Sequence, residues 1–347
     1  MASAHDRSQQ NREAMLARIA QLRALEQRAA DRSAEAQSLF EQRGQLLPRE
    51  RVGLLLDPGA PWLPLCHLAG YLQDSTDAAS SVPGGGVIAG IGFVRGVRCM
   101  VVASDSGIEA GALQPMGLQK MLRVQEIALQ QRLPFVHLVE SAGANLMRYR
   151  VEDFVQGGAL FRNLARLSAA GIPVLTVQHG SGTAGGAYLP GLSDIVILVR
   201  GRSRAFLAGP PLLQAATGEV ASEEELGGAE MHASVSGLGE YLAGDDREAL
   251  GIARDVVGRL ALTPTLSRKR ERESQPGSSL PLPLVGEGGG EGAREDLLSL
   301  MPLNLREPVD SREIMLRLAD DASLLEFKSL YGPATVCAQA SIAGHAV

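Results

Sequence analysis

Two short stretches of small residues have types and spacing that could do chemistry. The first is Gly180-Ser181-Gly182-Thr183-Ala184-Gly185-Gly186-Ala187-Tyr188. It follows Ile172-Pro173-Val174-Leu175-Thr176-Val177, an apolar, β-branched run that predicts a buried strand. Glycines at 185 and 186 let backbone N–H groups approach a ligand with no Cβ in the way. If Gly185-Gly186-Ala187 opens a helix, those amides carry partial positive charge and suit an anion or a developing oxyanion. Taken alone, the stretch is equally a tight strand-to-helix turn with no ligand. The second is Glu140-Ser141-Ala142-Gly143-Ala144-Asn145-Leu146, after the strand candidate Phe135-Val136-His137-Leu138-Val139.

Two strands that each end in a small-residue turn, with a helical pattern between them, are how a parallel sheet presents a crevice at its strand ends. Two sets of amides could then converge on one oxygen, the geometry wanted for a thioester enolate. His137 sits inside a strand pattern and reads as a packed histidine. His179 lies closer to the second turn but is also read as non-catalytic.

The elements that must position these turns alternate along the chain. Residues 11–43 predict a helix, with Met15, Ile19, Leu22 and Leu25 at helical spacing and Gly44 to end it. Its heptads are too few for a free coiled coil, so it is expected to pack on the body or on a neighbouring subunit. Pro48 suits a helix start and Asp57-Pro58-Gly59 a turn. Val87–Val94 and Arg98–Ala103 predict a hairpin around Arg95-Gly96. Residues 116–130 predict a helix carrying Lys120 and Arg123, and 194–199 a further strand. Ser222 reads as an N-cap before an acidic first turn, and 240–260 as a helix. This is an α/β pattern. From Thr263 the character changes to charged, Pro-rich and Gly-rich sequence that cannot build a core, read as a disordered linker. Folded character returns near Asp296. Thr335-Val336 reads as a strand with nothing after it to pair with.

Composition narrows the function classes. The 347 residues are 45% hydrophobic and 21% charged, with net charge -6 and only 4% aromatic. Neither a basic field nor basic-aromatic interleaving argues for nucleic acid. Cys66, Cys99 and Cys337 form no C-x-x-C pair, so neither a metal knuckle nor a disulfide framework is expected. With no signal pattern and no run of about 18 apolar residues, the expected location is cytoplasmic.

Several motifs occur in order: Gly44-Gln45-Leu46-Leu47-Pro48-Arg49-Glu50-Arg51, Val82-Pro83-Gly84-Gly85-Gly86, Ser141-Ala142-Gly143-Ala144-Asn145, Ser181–Tyr188, Phe206–Leu212, Ala216–Glu219 and Glu225–Ala229. Each is weak by itself; the ordered set resembles the carboxyltransferase (β) subunit of biotin-dependent acyl-CoA carboxylases, of the methylcrotonoyl-CoA and geranoyl-CoA type. The likeness covers residues 40–260 and resumes near Asp296. It implies two crotonase-like domains of β-β-α superhelix, the first for acyl-CoA and the second for carboxybiotin. It also implies biotin on a separate carrier protein, a biotin carboxylase partner and a homo-oligomer. Backbone amides would hold the oxyanions with no side-chain nucleophile.

Carried over by motif, Gly185 and Gly186 would supply amides to the thioester oxygen, with Gly143 and Ala144 in the facing turn. Ala142 and Ala184 would border the acyl-CoA, and Tyr188 would line the acyl pocket. Lys120 and Arg123 would meet CoA phosphates, or else form a solvated helix face. The implied organisation is a helical arm over 1–45, an acyl-CoA-binding domain over 46–262, a disordered insert over 263–293, and the truncated start of a second domain over 294–347. Residues 263–293 depart from the family, and the Gly-rich biotin turn is absent, so such a chain would hold the acyl-CoA half-site and its activity alone is open. Two other functions use the same features: a crotonase-type hydratase or decarboxylase, with Glu140 as its acid-base group, and a non-catalytic CoA-binding or assembly subunit.

Overall fold

The computed structural model describes residues 4–73, 75–144, 150–260, 308–320, 323–342 and 345–347. The expected insert at 263–293 lies outside them. The N-terminal region forms α1 (Ala4–Ala34), α2 (Gln37–Gln42) and α3 (Pro48–Leu55). The single helix expected over 11–43 is therefore two, broken at Glu35-Ala36. Pro48 opens α3, where a missing N–H costs nothing.

Strands β1 (Leu63–Pro64), β2 (Val87–Val94) and β3 (Val97–Ser104) come next, then α4 (Pro115–Gln131), β4 (Phe135–Ser141), α5 (Val151–Ala169) and β5 (Val174–Thr183). After β5 follow α6 (Tyr188–Gly191), β6 (Ile195–Val199), β7 (Arg204–Phe206), α7 (Pro210–Thr217), α8 (Glu223–Gly227) and α9 (Ala229–Met231). β8 (Tyr241–Ala243) and α10 (Asp246–Leu260) complete the body, so the helix expected over 240–260 opens as a strand. Ser222 caps α8 as expected: its hydroxyl accepts from the Glu225 N–H, and Glu225 returns the bond.

These strands make one eight-stranded sheet, ordered β1-β2-β3-β4-β5-β6-β8, with β7 on the far end of β5. The β1, β2 and β3 pairings are antiparallel, and every pairing from β3 onward is parallel. Side chains alternate across each strand and serve two cores. Val136 and Leu138 of β4 join Val52 and Leu55 of α3 and Ala253 and Val256 of α10 on one face. Phe135 of β4 and Val174 of β5 join Val124 of α4 and Leu164 of α5 on the other.

Beyond the undescribed stretch come α11 (Ser311–Leu318), β9 (Leu325–Phe327), β10 (Cys337–Gln339), β11 (Ser341–Ile342) and β12 (His345–Ala346). The strand expected at Thr335-Val336 begins at Cys337, and it does have a partner: β10 pairs antiparallel with β9, earlier in the chain. Leu325 and Phe327 pack on the α3/α10 core.

Candidate functional site

β4 and β5 run side by side from Phe135↔Val174 through Val139↔Gln178, and after a register shift they meet again at Ser141↔Gly182. The two small-residue turns therefore leave neighbouring strands at the same end of the sheet. They also touch. A Cβ placed on Gly143 would lie 3.3 Å from the Thr183 carbonyl, and one on Gly186 would lie 3.8 Å from the Ser141 carbonyl. The second turn is a 3-10 turn over Ala184–Ala187 that runs into α6. Ala184 enters it at φ 53°, a left-handed conformation that costs a residue with a Cβ about 1 kcal/mol or more.

The amides are not equally available. The Ala142 N–H donates to the Ala110 carbonyl at 3.1 Å, and the Gly143 N–H donates to Ser141 Oγ at 3.1 Å. Both belong to the turn that sequence reasoning assigned as a donor set, and both are already engaged. The Ala144 N–H donates to no described residue. Outside their own 3-10 turn, neither do those of Gly185 and Gly186. Gly185 is exposed and Ala144 half-buried, while Gly186 is buried and its N–H lies where the 3-10 turn bonds back to Thr183, so the donors at the surface of the crevice are those of Gly185 and Ala144.

Tyr188 stands half-exposed beside the turn, its ring 4.8 Å from that of Phe161 on α5. Beneath the turns a cavity of about 40 Å³ is lined by Ser141, Gly111, Leu113, Met121, Leu160 and His137. Burial pushes the His137 imidazole down to about 4, so it is neutral at pH 7, edge-on to Phe135. It forms the wall of a pocket. A second cavity of about 160 Å³ shares Gly86 with the first and is bounded by Arg32, Ser80, Ser81, Glu109 and Gln114.

Lys120 and Arg123 part company. Arg123 is exposed and pairs with Glu126 at 3.1 Å, a solvated helix face. Lys120 is buried, and its Nζ donates to the Val87 carbonyl at 2.5 Å and the Gly84 carbonyl at 3.4 Å. Burial lowers its pKa to about 8. It clamps the Gly84–Gly86 loop from inside and offers no ammonium to a phosphate in solvent.

Glu140 faces away from the amides, onto α3. Arg51 Nη1 lies 2.6 Å from Glu140 Oε2, and Arg51 Nε lies 3.2 Å from Asp246 Oδ2. Ser106 Oγ and Gln45 Nε2 also donate to Glu140. A carboxylate fixed by a buried guanidinium and two further donors, on the sheet face opposite Ser141, is not placed as the acid-base group that a hydratase would need at this crevice. His179, fully buried, bonds Asp246 Oδ1 through Nδ1 at 2.8 Å. Its burial, then the Arg51 charge, holds its pKa below the usual histidine value despite Asp246. Sequence reasoning missed this cluster. Its members come from α3, β4, β5 and α10, and no local pattern marks a buried charge.

A family model described as carboxyl transferase domain matches residues 40–347. A probable biotin-dependent acyl-coenzyme A carboxylase beta2 subunit of Mycobacterium tuberculosis is 43% identical over 303 residues, 87% of this chain and 53% of that protein. A probable methylcrotonoyl-CoA carboxylase beta chain, mitochondrial, of Drosophila melanogaster is 42% identical over 309 residues, 88% of this chain and 53% of that protein. Among solved structures, the P. aeruginosa geranyl-CoA carboxylase beta subunit superposes with a TM-score of 0.68 at 50% identity, covering 97% of this chain and 60% of that one. The chain thus spans about half the length of the curated relatives it matches.

Proposed function

This chain belongs to the carboxyl transferase domain family, and from that premise we propose that it forms the acyl-CoA half of the site in a biotin-dependent acyl-CoA carboxylase. Its substrate would be an enoyl-CoA of the methylcrotonoyl or geranoyl kind, as the names of its relatives suggest. The observation that carries the reading is the meeting of two amide-bearing turns at the ends of parallel β4 and β5, where the Gly185 and Ala144 N–H groups donate to no described residue outside the 3-10 turn.

The chemistry follows from what amides can and cannot do. A thioester oxygen seated between the turns accepts hydrogen bonds that strengthen as a C–H proton leaves and charge moves onto oxygen. Peptide N–H groups stabilise that enolate without protonating it, so its carbon stays nucleophilic. At the first turn the Ser141 hydroxyl donates to the Gly111 carbonyl at 2.8 Å and does not compete as a nucleophile. Such a donor set fits a carboxyl donor brought from outside. When bound, carboxybiotin supplies the carboxyl group, and its freed ring nitrogen the base. Tyr188 and Phe161 would flank the acyl chain. Within this reading, biotin rides on a separate carrier subunit, biotin carboxylase is the partner that reloads it, and the chain assembles with copies of itself.

The test is a panel of acyl-CoA thioesters with ATP, labelled bicarbonate, this chain and the biotin-carrying subunit. Label fixed into a branched enoyl-CoA supports the proposal. Binding of CoA thioesters with no fixation under any partner would favour an assembly role instead.

A further inference from the structure

The first turn presents three amides in sequence, at Ala142, Gly143 and Ala144, yet two are consumed internally. What consumes them is a brace formed by residues 109–113. Glu109, Ala110 and Gly111 take three left-handed conformations in a row, at φ 47°, 52° and 70°. That run turns two carbonyls toward the turn. Ala110 O takes the Ala142 N–H, and Gly111 O takes the Ser141 hydroxyl proton. Leu113 N–H then donates to the Gly143 carbonyl at 2.8 Å. The approach is close: a Cβ on Gly111 would sit 2.2 Å from the Glu140 carbonyl oxygen.

Ser141 stands between brace and turn. Its hydroxyl gives its one proton to Gly111 O and accepts from Gly143 N–H, and it is buried. An amide held this way cannot also point at a ligand oxygen, whereas the Ala144 N–H after it donates to no described residue. We propose that Ser141 is a positioning residue that assigns the thioester oxygen to the Ala144 amide, by fixing the Gly143 peptide. The proposal rests on the acyl-CoA reading above. It goes beyond it by naming which amide of the first turn does the holding and which side chain decides that.

The consequence is selective. Ser141 should matter to the carbonyl oxygen and not to the rest of the CoA ester. Two probes separate these: an S-alkyl-CoA thioether, which lacks the oxygen, and the matching ketone in which CH₂ replaces sulfur, which keeps it. Titration of each into the purified chain gives two dissociation constants per variant. Ser141→Ala is expected to weaken the ketone about tenfold, the loss of roughly one neutral hydrogen bond, and to leave the thioether within about twofold. Ser141→Thr, which keeps an oxygen on Cβ, is expected to retain most of the ketone affinity; Ser141→Cys, whose thiol is a weak donor and acceptor, is expected to weaken the ketone selectively and stands in for Ser141→Ala if that variant does not fold. Equal weakening of both probes, or none of either, by Ser141→Ala overturns the positioning role. So does a Ser141→Thr variant that folds but binds the thioether normally and the ketone poorly. Failure of both probes to bind the unaltered chain overturns the acyl-CoA reading itself, and this proposal with it.

Discussion

Replacing Arg51 with methionine tests whether the buried charge cluster holds the back of the site in place. The guanidinium is 2% exposed and bonds Glu140 at 2.6 Å and Asp246 at 3.2 Å. Methionine fills much of the volume and removes the charge. Two largely buried carboxylates then lose their shared cation, and an uncompensated buried partner costs about 3–5 kcal/mol. Against a total stability of about 5–15 kcal/mol that is a large fraction. With an m-value of about 2–3 kcal/mol/M in urea, the midpoint should fall by about 1–2 M.

Acid titration gives a second, independent readout. Burial alone would raise the Asp246 pKa, but the His179 hydrogen bond and the charges of His179 and Arg51 bring it to about 2. A carboxylate whose folded pKa lies below its unfolded value of 3.8 contributes stability above that value and loses it as pH falls toward 2. The loss amounts to about 2 kcal/mol. In Arg51→Met this limb should move to higher pH, because one source of the depression is gone. Adding Glu140→Gln and Asp246→Asn should recover much of the midpoint, with coupling energies above about 1 kcal/mol. An Arg51→Met variant that loses under about 1 kcal/mol and keeps its acid limb would show that water reaches the cluster, refuting the argument.

Gly111→Ala places a Cβ 2.2 Å from the Glu140 carbonyl oxygen at φ 70°; denaturant melts should show a loss of about 2–4 kcal/mol. Lys120→Met removes a buried cation whose pKa falls to about 8 from 10.5. A lowered base pKa means stability rises as pH climbs from 8 to 10.5, so the parent should gain up to about 3 kcal/mol relative to the variant over that range in urea titrations. Arg123→Ala should stay within about 0.5 kcal/mol of the parent. His137, at about 4 against 6.5 unfolded, makes the fold lose stability as pH drops from 6.5 toward 4; His137→Leu should flatten that part of the stability–pH curve by about 3 kcal/mol, read from urea midpoints at pH 7 and 4.5.

The parts of this fold that sequence made legible are those whose pattern is local. Phe135–Val139 and Ile172–Val177 were expected to be strands, and both lie in or beside β4 and β5, because short β-branched runs bounded by turn residues have few other fates. The helix at 116–130 and the cap at Ser222 were visible for the same reason. The expected helix over 11–43 failed at Glu35-Ala36, where the chain turns although Glu and Ala themselves favour helix. The strand at β8 was hidden inside a helical pattern, because Tyr241 and Ala243 are buried by pairing with β6 and by nothing local. Lys120 looked like a surface cation since its spacing is helical; only the neighbouring carbonyls of Gly84 and Val87, 36 and 33 residues away in sequence, make it a clamp.

The site divides along the same line. Glycines at 143, 185 and 186 announce turns, and the ordered motifs announce which family of turns they are, but neither says which N–H groups are open. That depends on Glu109, Ala110 and Ala184, all left-handed and none glycine. Residues with a Cβ hold such conformations only where surrounding bonds over-determine them. Here those bonds are the contacts of residues 109–113 with the turn on one side, and on the other the 3-10 turn that Ala184 enters. Strain of this kind cannot be read from propensity, since propensity argues against it. It gathers at both turns that meet at the strand ends, which is where a backbone that must hold an oxygen in one place has reason to be stiff.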